Sequence, residues 1–240
     1  MTLELDAHGF PKTSGIFETI KTVHGNPIAL GRHMRRALSS ATELGIPMPG
    51  EEEIRNKLVQ VLAENPWETG RLRICIYKDG FVITHHEYQE NPIPARLTFY
   101  SQTVLGMQHK MFPYDFRFSI LQIAQDEGFD DCILFNSQNY ITESAVSNLL
   151  FKIKGEWVTP PITSGILPGV MRALAVEECG VKVRPIHISE VPDISSGFLL
   201  SSLRIAQQIS HVGEMKLEMG EASREIEAQI RASAQPVSVG

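Results

Sequence analysis

Cysteine is scarce in this 240-residue chain. The three present, Cys75, Cys132 and Cys179, are odd in number and show no metal-ligand spacing. That excludes a disulfide framework or a structural zinc site as the source of stability. All three stand in apolar contexts, which predicts buried reduced thiols. No apolar run approaches the roughly 20 residues that span a bilayer. Met1-Thr2-Leu3-Glu4-Leu5-Asp6 has neither the basic nor the apolar stretch of a signal peptide. A basic surplus is also missing. The formal charge of −6 argues against nucleic acid as a partner and mainly aids solubility. Internal repeats and low-complexity tracts are absent. What remains is an ordinary globular composition, long enough for one large domain or two small ones with real cores. A cytoplasmic location and no membrane partner are the expectations.

Residues 15–23 alternate and read as a strand, ended by the turn His24-Gly25-Asn26-Pro27. Residues 31–44 read as a helix with Met34, Ala37, Leu38, Ala41 and Leu44 on one face, closed by Gly45 and Pro47. Residues 51–63 form a second helix, acidic at its start as the dipole prefers. Residues 71–77, 81–87 and 95–100 are strand-like. The expected organisation is therefore an N-terminal α/β domain over 1–102, a connector over 103–109, and a second domain over 110–240. In that second domain, 116–127 is helical, Trp157-Val158-Thr159 extended, and Pro168-Gly169 opens a helix to about residue 178. A short strand over 197–201 follows, then a charged amphipathic segment that frays after Ala232.

The most informative stretch runs from Asp130-Asp131-Cys132-Ile133-Leu134-Phe135-Asn136 through a turn at 137–139 into a second strand over 140–151. That second strand carries one acid, Glu143, among apolar neighbours. A carboxylate there needs a cationic or hydrogen-bonded partner. Elsewhere, His109-Lys110-Met111-Phe112-Pro113-Tyr114 supplies a lysine with no rival between Lys78 and Lys152. Arg32-His33-Met34-Arg35-Arg36 is a basic turn on the first helix. Gly165-Ile166-Leu167-Pro168-Gly169-Val170-Met171-Arg172 starts a helix whose amides at Val170 and Met171 suit a phosphate. Phe198-Leu199-Leu200-Ser201-Ser202-Leu203 ends a strand in two hydroxyls. Taken singly, each has a plainer reading: a surface lysine, a solvated basic face, a loop-to-helix transition, a turn.

Taken together, Thr142-Glu143-x-x-x-x-Asn148-Leu149 and these segments resemble the class IV (fold type IV) pyridoxal-phosphate enzymes over about residues 15–213. That family includes branched-chain and D-amino-acid aminotransferases and 4-amino-4-deoxychorismate lyase. The resemblance implies an α/β (α+β) architecture, a small N-terminal α/β domain plus a C-terminal pseudo-barrel domain. It also implies pyridoxal 5'-phosphate as cofactor, no metal, a small-molecule amino substrate and a homodimer. Lys110 matches the family's Schiff-base lysine, and Glu143 the acid on the cofactor's pyridine nitrogen. Arg36, the amides of Val170 and Met171, and a hydroxyl of Ser201 or Ser202 match the phosphate ligands. Ala37 replaces the usual leucine. Met171 replaces the usual threonine, which removes a hydroxyl contact and leaves the amide. The family's arginine-bearing loop is reduced here to Lys78-Asp79-Gly80. Arg73, His86 and Arg204 are the remaining candidates for a substrate carboxylate.

Thr19 matches the threonine of a Phe-x-Thr segment that the lyase carries, and is the second catalytic candidate. The Ser201-Ser202-Leu203 and Lys110…Tyr114 segments are also similar to lyase members. The resemblance therefore implies conversion of 4-amino-4-deoxychorismate to 4-aminobenzoate and pyruvate, a step towards folate. The alternative is an aminotransferase of D-amino acids or branched-chain amino acids. A non-enzymatic relative would lack the lysine or the glutamate, and both are present.

Overall fold

The computed structural model describes residues 4–104 and 106–239. In chain order its elements begin with β1 (Gly15–Val23), β2 (Asn26–Pro27), α1 (Leu30–Leu44), α2 (Glu51–Glu64), β3 (Thr69–Tyr77) and β4 (Gly80–Glu87). Next come β5 (Ala95–Phe99), β6 (Met111–Phe112), α3 (Asp115–Asp126), β7 (Asp131–Phe135), β8 (Ile141–Ser144) and β9 (Asn148–Ile153). The last are β10 (Glu156–Thr159), α4 (Val170–Glu178), β11 (Lys182–Val183), β12 (Ile194–Ser201), β13 (Ile205–Val212), β14 (Met215–Lys216) and α5 (Glu221–Ser233). Short 3-10 turns cover Ile162–Ser164 and Ile188–Asp193. Among the described residues, no helix is long and apolar enough to cross a membrane.

The chain divides into two compact units. The first takes Met1–Glu90, His109–Tyr114 and Gln235–Gly240, the second Asn91–Gln108 and Asp115–Ala234. This differs from the linear division expected at 102 and 109. Strand β5 pairs in parallel with β7 and β13, so it belongs with the second unit. Strand β6 pairs with β1, which keeps Lys110 and its neighbours in the first. The C-terminal tail does not fray. Pro236 bridges Ile28, and the Val237 amide donates to the Pro27 carbonyl at 3.0 Å.

In the first unit the sheet order is β2-β1-β3-β4, antiparallel throughout, with β6 beside β1. Ile16, Ile20, Leu72, Ile74, Ile76 and Ile83 project from one face onto α1 and α2, which contribute Ala37, Ala41, Ile54, Leu58, Val61 and Leu62. Helix α1 is turned relative to the expected face. It buries His33, Ala37, Ser40 and Ala41, while Leu38 is 51% exposed. The cause is polar: Glu18 lies on the same sheet face as Ile16 and Ile20, and His33 turns inward to meet it. The other face carries Phe17, Thr19 and Lys21, whose register partners are Cys75, Arg73 and Arg71.

One glycine makes a polar bridge possible within this sheet. Thr22 on β1 and His85 on β4 flank β3, yet Thr22 Oγ1 lies 2.8 Å from His85 Nε2. They meet over Gly70, where a Cβ would fall 2.0 Å from His85 Nε2 and 2.5 Å from Thr22 Oγ1. Both partners are buried, and burial holds the His85 imidazole below its usual pKa, which favours the neutral ring.

In the second unit the sheet path is β11-β10-β9-β12-β13-β5-β7-β8, with β14 on β13. Strand β8 ends this path, yet only residues 145–147 separate it from β9 near the other end. The sheet must therefore curl back on itself. What read as one long strand from 140 is two, because the Ser144 amide and hydroxyl both turn onto the Ser147 carbonyl, at 2.8 and 3.0 Å. The inside is filled by Leu97, Ile133, Leu149, Phe151, Leu199 and Ile209 among others. Helix α3 packs Ile120 and Ala124 against Cys132 and Leu134 of β7. Cys75 and Cys132 are buried, with thiols pushed up to about 12 by burial, whereas Cys179 is only partly buried.

Substituting Gly70→Ala inserts a methyl group between two buried polar side chains and should destabilise the fold by about 1–3 kcal/mol. Calorimetry should read this as a melting temperature lower by several degrees, at roughly 2–4 °C per kcal/mol for a chain of this size. An unchanged melting temperature would show that the Thr22–His85 bridge gives way without cost.

Candidate active site

Each unit carries its own set of chemistry-bearing groups. In the first, Lys110 precedes β6 and is anchored by its backbone, the Phe17 amide donating to its carbonyl at 2.8 Å. Its ammonium Nζ lies 4.5 Å from the Phe17 ring centroid and 5.0 Å from that of Tyr114. Phe17 and Tyr114 themselves pack edge to face at 5.1 Å. This amine therefore stands against aromatic rings instead of in open water, and is half-buried. Thr19 lies two residues beyond Phe17 on the same sheet face and is also half-buried.

On the opposite face Glu18 is 2% exposed and accepts three charged or polar donors. Arg36 donates Nε to Oε1 at 2.9 Å and Nη2 to Oε2 at 2.6 Å, and His33 Nδ1 lies 2.6 Å from Oε2. Burial alone would push the Glu18 carboxyl up, but the Arg36 charge and the His33 contact hold it down at about 2. Burial likewise pulls His33 below its ordinary value. The ion pair is therefore Glu18 with Arg36, and His33 is best described as a neutral donor. Arg36, the phosphate candidate, is thus locked in orientation by a two-pronged carboxylate contact. Its neighbour Arg35 is exposed.

In the second unit Glu143 is 5% exposed, and both of its oxygens are held. Arg117 from α3 donates Nη2 to Oε1 at 2.7 Å. The Leu167 amide donates to Oε2 at 3.0 Å, and Asn148 Nδ2 lies 3.3 Å from the same oxygen. Asn148 Nδ2 also donates to the Leu167 carbonyl at 3.0 Å. The spacing of the Thr-Glu-x-x-x-x-Asn motif now has a physical cause. The break at 145–147 restarts the strand so that Asn148 reaches back to Glu143.

Leu167 leads into α4, whose first two residues are Val170 and Met171, as expected. Amides at a helix start have no preceding turn to donate to. At the cap, Gly169 has no room for a side chain, since a Cβ would sit 1.8 Å from Asn148 Oδ1. A phosphate at this helix start would meet backbone N–H groups and a favourable dipole. Ser201 ends β12 and Ser202 begins the turn after it, both half-buried, and Ser201 Oγ accepts the Arg204 amide at 3.3 Å.

The substrate candidates separate. Arg204 Nη1 lies 3.3 Å from Asp131 Oδ2, so it is the counter-ion of a fully buried acid. Asp131 is pushed up by burial and restrained by Arg204 and its hydrogen bonds. Arg73 donates Nη1 to the His8 carbonyl at 2.6 Å, stacks 4.2 Å over the Phe10 ring, and buries Nε without a partner. His86 is exposed and pairs in register with Arg71. No group of three or more His, Cys, Asp or Glu side chains placed to hold a metal occurs among the described residues.

Sequence reasoning named Glu143 but missed Arg117, its ion-pair partner, and it missed Glu18 and His33. A signal existed for each. Arg117 shares the buried stripe of α3 with Ile120 and Ala124, and a cation on an apolar stripe implies a buried anion. Glu18 falls between Ile16 and Ile20 in the inward register of β1.

Two outcomes follow. Arg117→Met strands the Glu143 charge and should cost about 3–5 kcal/mol in urea unfolding, much of it recovered when Glu143→Met is added. Full additivity of the two losses would dismiss the pair. For Glu18, the shift from 4.5 to about 2 corresponds to about 3 kcal/mol. Because the folded pKa is the lower one, that stability is present above pH 4.5 and is lost as pH falls towards 2. The stability advantage of wild type over Glu18→Gln should shrink across that window, and a pH-independent difference would contradict the ion pair.

Comparison with known proteins bears on the family and the fold. The chain matches the family described as amino-transferase class IV over residues 15–212. It is 29% identical over 177 residues to a Schizosaccharomyces pombe (strain 972) protein provisionally named aminodeoxychorismate lyase, covering 68% of this chain and 74% of that protein. It is 23% identical to the D-alanine aminotransferase of Bacillus licheniformis, over 74% of this chain and 69% of that one. Among solved structures, one from Legionella pneumophila, provisionally titled 4-amino-4-deoxychorismate lyase, superposes with a TM-score of 0.84 at 21% identity, covering 91% of both chains. An aminotransferase of Mycobacterium tuberculosis described as hypothetical, in its PLP-bound form, superposes at 0.81 and 16% identity, covering 92% of this chain and 88% of that one. The fold is that of the fold type IV enzymes, and the chain belongs to the class IV amino-transferase family.

Proposed function

We propose that this protein is a pyridoxal-phosphate enzyme acting as a 4-amino-4-deoxychorismate lyase, releasing 4-aminobenzoate and pyruvate. The observation that carries the cofactor assignment is the Glu143 carboxylate, held in place by Arg117, Asn148 and the Leu167 amide. A buried anion fixed in this way suits a protonated ring nitrogen. The start of α4, set by Asn148 packing closely over Gly169, suits a phosphate through its backbone N–H groups and dipole. Val170 and Met171 amides, the Ser201 or Ser202 hydroxyl and the Arg36 guanidinium would hold that phosphate. The bound cofactor supplies an electron sink for bonds made by the substrate carbon that carries the amine.

The chain's own residues do the rest. Lys110 carries the amine that would bind the cofactor and then accept the substrate's carbon-bound proton at Nζ. Glu143 would keep a proton on the ring nitrogen. Thr19, on the same sheet face as the ring beneath Lys110, would donate its hydroxyl to the oxygen of the departing enolpyruvyl group. The lyase reading is favoured by the 29% identity to the fission-yeast relative. The alternative is a transaminase of D-amino acids or branched-chain amino acids, and it draws on relatives with those names at 21–25% identity. A homodimer in the cytoplasm is part of the proposal and rests on the family alone.

Purified protein mixed separately with aminodeoxychorismate, D-alanine and L-leucine should release pyruvate and 4-aminobenzoate from the first. Lys110→Ala should fold yet retain no cofactor through borohydride treatment and denaturation. Amination of the cofactor by the simple amino acids, with no pyruvate from aminodeoxychorismate, would replace the lyase with the transaminase.

A further inference from the structure

The sheet face of the first unit that bears Phe17 and Thr19 also carries a row of cations. Lys21, Arg71 and His86 form one rung across β1, β3 and β4, on the face that bears Phe17, Thr19 and Arg73. Side chains at such positions stand about 5 Å apart at Cβ. Two cations of this face are already committed. Lys21 is paired with Glu90, and Arg73 is capped by the His8 carbonyl and stacked on Phe10. Arg71 is half-buried, and no hydrogen bond or ion pair engages its guanidinium among the described residues. Burial, and then the Arg71 charge, hold Arg73 below its usual value, against a smaller opposing effect of Asp6, so the two guanidiniums repel. An anion at Arg71 would relieve that repulsion and fill a planar two-pronged donor.

The position also specifies the ligand. The Lys110 amine stands over Phe17, and the Arg71 rung lies at Lys21, about 13 Å further along the strand. Thr19 lies between them. An α-amino acid has its carboxylate one carbon from its amine, too close to reach. A substrate with amine and carboxylate at opposite ends of a ring spans more of that distance, and a long arginine side chain closes the remainder. We infer that Arg71 is the specificity-determining residue that binds the ring carboxylate of a 4-amino-substituted cyclic acid. This inference deepens the lyase reading and rests on it for the direction in which the substrate lies.

The test is equilibrium binding by calorimetry, on the holoenzyme, of 4-aminobenzoate and of aniline, which lacks the carboxylate. Wild type, Arg71→Leu and Arg71→Lys are compared, with the retained cofactor absorbance as the check on folding. Arg71→Leu should bind 4-aminobenzoate about tenfold or more weakly, Arg71→Lys should be intermediate, and aniline should bind all three alike. Wild-type affinity for 4-aminobenzoate in Arg71→Leu would overturn the inference, as would a wild type that does not prefer 4-aminobenzoate to aniline. Arg71-dependent binding in a protein that releases no pyruvate from aminodeoxychorismate would uphold Arg71 as a carboxylate site and remove the lyase.

Discussion

A carboxylate cannot stay charged inside a protein unless its environment compensates for lost water, and Glu143 sets that constraint here. Three segments converge on it from outside its own strand: α3 through Arg117, β9 through Asn148, and the approach to α4 through the Leu167 amide. Each of these contacts also fixes something else. Asn148 closes over Gly169, which fixes the start of α4 and hence the amides available to an anion. The strand break at 145–147, needed to bring Asn148 round, is also where the chain passes from the last strand of the curled sheet to one near its other end. One buried negative charge thus dictates much of the second unit's internal geometry.

The first unit repeats the logic with a different partner set. Glu18 fixes Arg36 in two-pronged contact and draws His33 inward, which decides how α1 is rotated on the sheet. One face of that sheet is then consumed by helix packing. The other face carries Lys110's aromatic seat, Thr19, and a row of cations in which, among the described residues, no hydrogen bond or ion pair engages the Arg71 guanidinium. Asp131 with Arg204 is a third buried acid with an arginine, and it locks the end of β12 to the start of β7. Arginine suits all three positions because its fork stays charged and matches a carboxylate's geometry.

Much of this was legible in the sequence. Alternation fixed β1, β3 and β4, and the 3.6-residue period fixed α1 and α2, because one face of each is buried in a single apolar core. The motif residues around Glu143 and Gly169 were legible because their chemistry is unusual for their surroundings. Less visible were pairings between distant segments. Nothing local in 95–99 says that it joins strands from beyond residue 130, so a division drawn along the chain misassigned β5 and Lys110's neighbourhood. The orientation of α1 was missed because apolar count favoured Leu38, whereas a buried glutamate required His33. The partner of Glu143 was missed because Arg117 lies 26 residues away on another element.

The central claim is that Glu143, kept as an anion by its three donors, holds a proton on the cofactor's ring nitrogen. The most direct measurement is the nitrogen-15 chemical shift of ring-labelled pyridoxal phosphate bound to the protein. The account predicts a protonated ring nitrogen in wild type across neutral pH and an unprotonated one in Glu143→Gln. An unprotonated nitrogen in wild type would contradict it and leave Glu143 as a purely structural acid.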